Sequence, residues 1–530
     1  MSKKMILKEL SRYQIGTFAD VIYRNALLHP EDEAFIYRTE RITFDQYNTR
    51  VNRLINALEV LGIEKGAVIG VLSWNCLEYA DVWGAAMKGG FIISPFNPRA
   101  HANELEYLIH YSEAQILFVG PELVETIDSI RSRLSGVKNY ISFEGAAGGM
   151  ITHRDLLADH SPQEPAPRVD RDDPFLIFYT SGTTGIPRGA LYTQRRKLEN
   201  TRIKALELGV APGDRHLMIL PMFHIGGDSH VWPLFYVGGC SVISEHRTFD
   251  PNATLKFIEQ ENITDLQIVP TQLVAILEQS GFEPYDLSSL KRIWYAASPM
   301  PAELLRKGLK VFGPVFAQGY GQTESGPQIA FLPRKAHQVL DRSIEEQKVL
   351  TSCGQPSFGV HVRIVDENNN DVEPGVIGEI IARSDSIMVE YWRKPQETAE
   401  VIIDGWLHTG DLAYYDETGF IYIVDRKKDM IVTGGENVYP REVEEVLYRH
   451  PAVAETAVIG VPDPKWVERV HAAIVLKKDV TASEKEIIAF CKKHMASYKA
   501  PKSVDFLNEL PKSPQGKILK REIRKGLADS

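Results

Sequence analysis

The sequence predicts an α/β protein: a large N-terminal domain of parallel α/β layers with a β-rich subdomain, then a small mobile α+β C-terminal domain. Three observations predict it. Short apolar runs alternate with amphipathic stretches through the first four-fifths of the chain. Past Val362 the texture changes to strand pairs joined by turns. About one hundred residues of mixed pattern then follow the charged interruption Asp425-Arg426-Lys427-Lys428-Asp429, the size of a small domain. At 530 residues the chain exceeds what one hydrophobic core covers. The predicted units are 1–425 and 426–530.

The strands expected in the first region are Val68–Leu72, 91–94, 116–120, 175–178, 266–269 and 293–297, each a run of apolar residues long enough for a buried parallel strand. Pro301 opens a helix at its favoured first position. In the second region 362–365 and 377–382 flank the turn 366–371, which reads Asp-Glu-Asn-Asn-Asn-Asp, and predict antiparallel pairing. A further strand, 420–424, leads to the charged interruption.

With 44% hydrophobic and 25% charged residues the composition excludes a disordered chain. The first lysines are followed by no uninterrupted apolar run, so no secretory signal is expected, and no stretch reaches membrane-spanning length. Cysteines 76, 240, 353 and 491 are too scattered for a Cys-x-x-Cys metal site or a disulfide framework. A cytoplasmic location is expected. The net charge of -10 is uneven: residues 428–530 carry 18 Lys plus Arg against 15 Asp plus Glu, beside an acidic body. That asymmetry can draw a small polyanion towards the junction of the two units, or be ordinary solvated charge. Nucleic acid is not an expected partner, and a homodimer is left open.

The stretch Tyr179-Thr-Ser-Gly-Thr-Thr-Gly-Ile-Pro-Arg-Gly189 follows the apolar run directly. Gly182 and Gly185 let the backbone approach an anion, Thr180, Ser181, Thr183 and Thr184 add hydroxyl donors, and Arg188 adds charge. Polyphosphate is its natural guest, although no Gly-x-x-x-x-Gly-Lys-Ser/Thr can be read in it. Four more constellations follow. Gly319-Tyr-Gly-Gln-Thr-Glu324 offers an aromatic face, a hydroxyl and a carboxylate, suited to adenine on Tyr320, a phosphate oxygen on Thr323 and Mg²⁺ on Glu324. Trp406-Leu-His-Thr-Gly-Asp411 places a carboxylate after a Gly turn, where it can accept ribose hydroxyls. The interruption 425–429 is followed by Thr433-Gly-Gly-Glu-Asn437, and Pro511-Lys-Ser-Pro-Gln-Gly-Lys517 presents a lysine near the chain end. Each alone also fits an ordinary turn. Their joint occurrence decides.

Taken in order, these segments resemble the adenylate-forming superfamily of acyl-CoA synthetases, aryl-CoA ligases, firefly-type luciferases and peptide-synthetase adenylation domains, from about residue 15 to the end. The resemblance implies an acid activated by ATP as acyl-AMP with release of pyrophosphate, then transferred to coenzyme A. It implies a catalytic set of Lys517, Glu324, Thr184 and His224. ATP or AMP would be held by Thr180, Ser181, Gly182, Thr183, Thr184, Gly185, Arg188, Ala297, Ser298, Tyr320, Gly321, Thr323, Asp411, Arg426 and Lys517. Mg²⁺ would sit on Glu324. His224, Ala296 and Gly321 would line the acyl pocket, Gly434 and Gly435 a pantetheine tunnel, and Lys428 would be the hinge about which the C-terminal domain swings between the two reactions.

Departures from the family pattern are Arg188 for Lys, Ser513 for Thr, and Ala296 for Gly, the last narrowing the acyl wall. Amino-acid-activating relatives carry Asp where this chain has His224, and acetate-specific relatives carry Trp where it has Gly321, so the acid is neither an α-amino acid nor acetate. A medium- or long-chain fatty or alicyclic acid is expected. The alternatives are an aryl or cinnamate-type acid, and transfer to a carrier-protein thiol in place of CoA. A regulatory protein that kept the fold without catalysis is a third reading, opposed by Lys517, Glu324 and Asp411. A metal cluster of His224, Asp228 and His230 is not expected, because apolar flanks and Gly226-Gly227 suit a pocket wall.

Overall fold

The computed structural model describes residues 15–145, 148–180, 187–279, 285–298, 300–326, 328–433, 436–464, 466–513 and 518–528. Two large sheets carry the first region. One runs in the order Glu390–Tyr391, Arg188–Thr193, Pro174–Thr180, Ile92–Phe96, Val68–Leu72, Ala114–Val119, Asn139–Ser142, Ile151–Thr152. The other runs Gln355–Pro356, Ala330–Leu332, Phe316–Tyr320, Arg292–Tyr295, Asp265–Ile268, Arg215–Met218, Cys240–Ile243, Glu33–Tyr37, Glu40–Thr43. From Phe316–Tyr320 to Glu33–Tyr37 every pairing in it is parallel. Predicted strand ends shift by one or two residues, and Pro301 is the N-cap of Ala302–Phe312 rather than its first residue.

Helices fill the space between the sheets. Trp83 of Leu77–Gly89 meets Phe175 and Trp232 at ring-centroid distances of 5.8 and 5.5 Å, which ties one sheet to the helix Ile225–Val237 lying on the other. That helix is apolar almost all round, as a helix buried on every side must be. The exceptions are the consecutive Asp228, Ser229 and His230; Asp228 is paired with Lys197 of the helix Gln194–Leu208, and both are buried. A buried carboxylate is tolerated only with such a partner.

The strands His361–Val365, Gly378–Arg383, Trp406–Tyr415 and Ile421–Arg426 form the predicted antiparallel sheet. After Arg426 a separate five-stranded sheet begins at Ile431–Thr433, with Pro440–Leu447 and Glu484–His494 packed over its own core of Val443, Val458, Ile474, Ile487 and Cys491. Arg441 fixes this unit to the preceding strand: its Nη1 donates to Ile423 O at 2.9 Å and its backbone N to Asp425 Oδ2 at 2.9 Å.

Candidate functional site

The carboxyl ends of parallel strands are where α/β proteins place ligands, because the strands stop there and the loops diverge. Here Arg292–Tyr295 and Phe316–Tyr320 end side by side, and Ala296, Ala297 and Ser298 follow the first while Gly321 follows the second. Ala297, expected inside a strand, instead lies beyond it with φ +71, a left-handed conformation that an L side chain adopts only under constraint. Thr323–Ser325 then makes a 3₁₀ turn, closed by Gly326 at φ +82, whose absent Cβ would meet Ser386 O at 2.2 Å. Tyr192 pins the turn by donating its hydroxyl to Thr323 O.

Asp411 is 3% exposed and holds three donors: Arg426 Nε at 3.0 Å, Tyr320 Oη at 2.7 Å and Gln322 Nε2 at 2.9 Å. Asp411 and Arg426 are register partners on adjacent antiparallel strands, so the sheet itself brings them together. Burial, and then the neighbouring Asp411 carboxylate, push the Tyr320 phenol well above its ordinary value, so it remains a donor. A carboxylate has about four acceptor positions. With three filled, Asp411 has room for one ribose hydroxyl unless Arg426 or Gln322 moves.

Glu324 receives the Tyr391 hydroxyl on Oε1 at 2.7 Å, and the Arg188 guanidinium lies over the Tyr391 ring at 4.4 Å. The strand Pro174–Thr180 pairs antiparallel with Arg188–Thr193, Thr180 opposite Arg188, so the phosphate-loop segment leaves a buried strand as expected and returns beside it. Thr180 Oγ1 and Arg188 Nε are buried without a partner among the described residues. Both are donors at the base of that segment, and a bound phosphate would satisfy them. Ser181, Gly182, Thr183, Thr184 and Gly185 lie outside the described residues, as do Gly434, Gly435 and Lys517. Glu324 keeps its second oxygen for a hard cation, and Mg²⁺ fits it. No group of three or more metal-ligating side chains occurs among the described residues.

His224 caps the helix Ile225–Val237, its Nδ1 accepting from Gly226 N at 3.0 Å. Gly227 is required there, since a Cβ would lie 2.1 Å from Pro221 O. Below Ala296 on the same strand face sits Trp294, 2% exposed, stacked on Phe331 at 5.6 Å and 16°, with Gly319 flat against it: a Cβ on Gly319 would fall 1.9 Å from Trp294 Cζ2. At Lys428, the expected hinge, burial and the adjacent Arg426 cation lower the ammonium, and Arg524 Nη2 donates to Asp429 Oδ1 at 3.0 Å.

Sequence reasoning missed Gln322, Tyr391 and Trp294. Gln322 lies inside a motif that was read for its other residues. Trp294 sits two positions before Ala296 in an apolar run and carried no signal beyond core, and Tyr391 comes from a remote strand.

Known proteins share this fold. The model of the AMP-binding enzyme family matches residues 22–392, and that of the AMP-binding enzyme C-terminal domain matches 442–517. The chain is similar to a feruloyl-CoA synthase of Amycolatopsis sp, 37% identical over 507 residues, covering 95% of this chain and 97% of that one. It is also similar to the medium/long-chain-fatty-acid–CoA ligase FadD8 of Mycobacterium tuberculosis, 35% identical over 499 residues, with 91% and 85% covered. Among solved structures, that of the anthranilate CoA ligase AuaEII in complex with anthranoyl-AMP superposes with a TM-score of 0.88 at 28% identity, covering 98% of this chain and 99% of that one. The chain belongs to the AMP-binding enzyme family, the adenylate-forming superfamily of acyl-CoA synthetases.

Proposed function

We propose that this protein is an AMP-forming acid:CoA ligase, using ATP, Mg²⁺ and coenzyme A, whose acid is compact and ring-bearing. The observation that carries the choice of acid is Trp294. It lies two residues, or about 7 Å, before Ala296 on the strand Arg292–Tyr295, where its ring packs under Lys204 of the helix Gln194–Leu208 and so sets the depth open to an acid bound at Ala296. A ring joined to its carboxylate by a short linker fits that depth. A long alkyl chain does not. The feruloyl-CoA synthase and an indoleacetate–CoA ligase of Aromatoleum aromaticum, 34% identical over 512 residues, are relatives whose names carry such acids. FadD8 supports the second reading, a medium- or long-chain fatty acid, which requires Trp294 to leave its stack on Phe331.

In this reading the segment Thr180–Gly185 and Arg188 hold the β- and γ-phosphates. Glu324 holds Mg²⁺, which neutralises phosphate charge when bound. Asp411 and Arg426 orient the ribose, Tyr320, Ala297 and Ser298 flank the adenine, and Lys517 stabilises charge between carboxylate and α-phosphate. The C-terminal unit, from 426, turns about Lys428 so that Gly434 and Gly435 receive pantetheine for thiol attack. Four free cysteines and the absence, among the described residues, of any helix long and apolar enough to cross a membrane accord with a cytoplasmic enzyme.

Pyrophosphate release with a panel of acids tests the substrate class: cinnamate- and benzoate-type acids should exceed dodecanoate and hexadecanoate in kcat/KM, and the reverse order refutes it. A fatty acid–[acyl-carrier-protein] ligase of Streptomyces coeruleorubidus is 32% identical over 523 residues, so the acceptor needs its own test. Thioester formed with free CoA, and none with a phosphopantetheinylated carrier, is expected.

A further inference from the structure

Around Trp294 lies a set of buried polar side chains that neither the fold nor the nucleotide site uses. Along the helix Gln194–Leu208, Lys197, Asn200 and Lys204 recur on one face at helical spacing. Lys197 is consumed by Asp228. Lys204, 1% exposed, meets no carboxylate within ion-pair distance among the described residues; its ammonium donates to Ser229 Oγ at 3.1 Å and lies 4.3 Å above the Trp294 ring. His230, 0% exposed, lies 6.5 Å from the Trp294 ring and 4.4 Å from that of His216; its Nε2 is 3.9 Å from Asp265 Oδ1, and neither ring nitrogen is hydrogen-bonded among the described residues. Gln267 is the cross-strand register partner of Trp294, 4% exposed, and its Oε1 is unpartnered, as is Nδ2 of the fully buried Asn200.

Buried polar atoms are almost always paired, so open donors and acceptors in one buried region call for a partner. Burial drives the Lys204 ammonium well below its ordinary value, with the Lys197 cation adding to it, as befits a lysine with no acid of its own. The open set includes a donor on Asn200, an acceptor on Gln267 and a histidine able to serve as either. A hydroxyl is the small group that donates once and accepts twice. An alkyl terminus would leave every one of them unmet.

We propose that Asn200, Lys204, His230 and Gln267 form a polar subsite beside Trp294 that binds a ring hydroxyl at the end of the acid remote from its carboxylate. The inference rests on the ring-acid reading above and deepens it from "compact ring-bearing acid" to "hydroxylated aromatic acid". The distance agrees: the subsite lies about 7 Å below the pocket mouth at Ala296, two strand residues away, within the reach of a para substituent on a phenylpropenoic acid.

The test compares cinnamate with 4-hydroxycinnamate in the full-length enzyme by pyrophosphate release. A site built to hydrogen-bond a hydroxyl rejects the analogue that lacks it strongly, so the wild type should favour the hydroxylated acid by about 100-fold or more in kcat/KM. Gln267→Leu should bring that ratio below about 5-fold through loss on the hydroxylated acid, with cinnamate unchanged or improved. Lys204→Met gives a second reading of the same ratio, and the wild-type comparison stands even if both variants fold poorly. Good turnover of cinnamate with a ratio near one would overturn the proposal, leaving the polar groups to internal water. Activation of dodecanoate with neither ring acid turned over would instead refute the ring-acid reading itself.

Discussion

The two walls of the site treat polar atoms in opposite ways. On the wall around Asp411 the carboxylate is held by Arg426, Tyr320 and Gln322, and Gln322 also donates to Thr409 O at 2.7 Å, so these side chains are fixed by one another. On the wall around Trp294, Asn200, His230 and Gln267 carry open atoms. In the function proposed above, the first wall takes a ligand that never changes and is preorganised for it. The other holds unmet hydrogen-bonding capacity, which is how a site discriminates among acids.

The largest effect should come from unmaking the wall around Asp411. Asp411→Ala leaves the Arg426 guanidinium without its carboxylate and removes the acceptor for Tyr320 and Gln322. Leaving such donors unmet costs about 1–3 kcal/mol, and adenylation should fall on the order of 10²-fold or more. Denaturation and pyrophosphate release read the two losses. A drop in activity with unchanged stability would show that Asp411 is not the node of the wall.

Burial lowers buried histidines whether or not their ring nitrogens are hydrogen-bonded. His337 bridges Pro333 O and Tyr295 Oη, both at 3.0 Å, and burial pushes it down to about 4; His153 is likewise pushed down to about 4 by burial. The unfolded chain protonates histidine near 6.5, so between pH 6.5 and 4 the unfolded state binds more protons and stability falls as pH drops. Each saturates at about 3 kcal/mol. Glu207, raised to about 7 chiefly by burial, works with the opposite sign: the folded state holds its proton as pH falls below 7. Glu207→Gln should therefore steepen the acid loss, and His337→Gln should flatten it, in urea denaturation at pH 7 and pH 5. Buried His230 belongs to the first group; its lowering is due to burial, then to the Lys204 and Arg292 cations.

What the sequence disclosed follows the same division. The nucleotide wall was legible because its residues come in short runs, 179–189, 319–324, 406–411, whose glycines and acids have local reasons to be adjacent. The alternation of apolar runs located the parallel strands to within two residues. Neither Tyr391 beside Glu324 nor the set Asn200, Lys204, His230, Gln267 and Trp294 has a local signature, since its contributors come from two helices and two strands and are brought in by sheet register or helix packing. His230 was weighed only as a metal ligand, and Lys204 lies in a helix whose apolar stripe is weak. The fatty-acid expectation came from an open Gly321, whereas the ring-acid proposal rests on Trp294, a residue of another strand with no local signal.

Trp294→Leu sharpens the acyl side. Shortening the plug opens the channel towards the surface cavity of about 250 Å³ lined by Leu208, Arg292, Ala317 and Phe331, which lies towards the other end of the same strands. Selectivity should shift towards longer chains by about 10–100-fold, the range a few methylenes command in an apolar pocket. Chain-length profiles of AMP formation measure it, and an unchanged profile would place the acid elsewhere.

The smallest effect is expected where the walls meet. Ala297 holds φ +71 between the acyl residue Ala296 and Ser298, and a left-handed alanine costs about 1–2 kcal/mol that glycine does not. Glycine gives back about 0.4–1 kcal/mol through its freer unfolded chain. Ala297→Gly should therefore raise stability by no more than about 1 kcal/mol while adenylation falls several-fold, because the loop that fixes both walls in register becomes looser. Calorimetry and kcat for a preferred acid separate the two. If the glycine variant gains stability with full activity, the strain is incidental, and the coupling of the walls must run through Tyr320 and Asp411 instead.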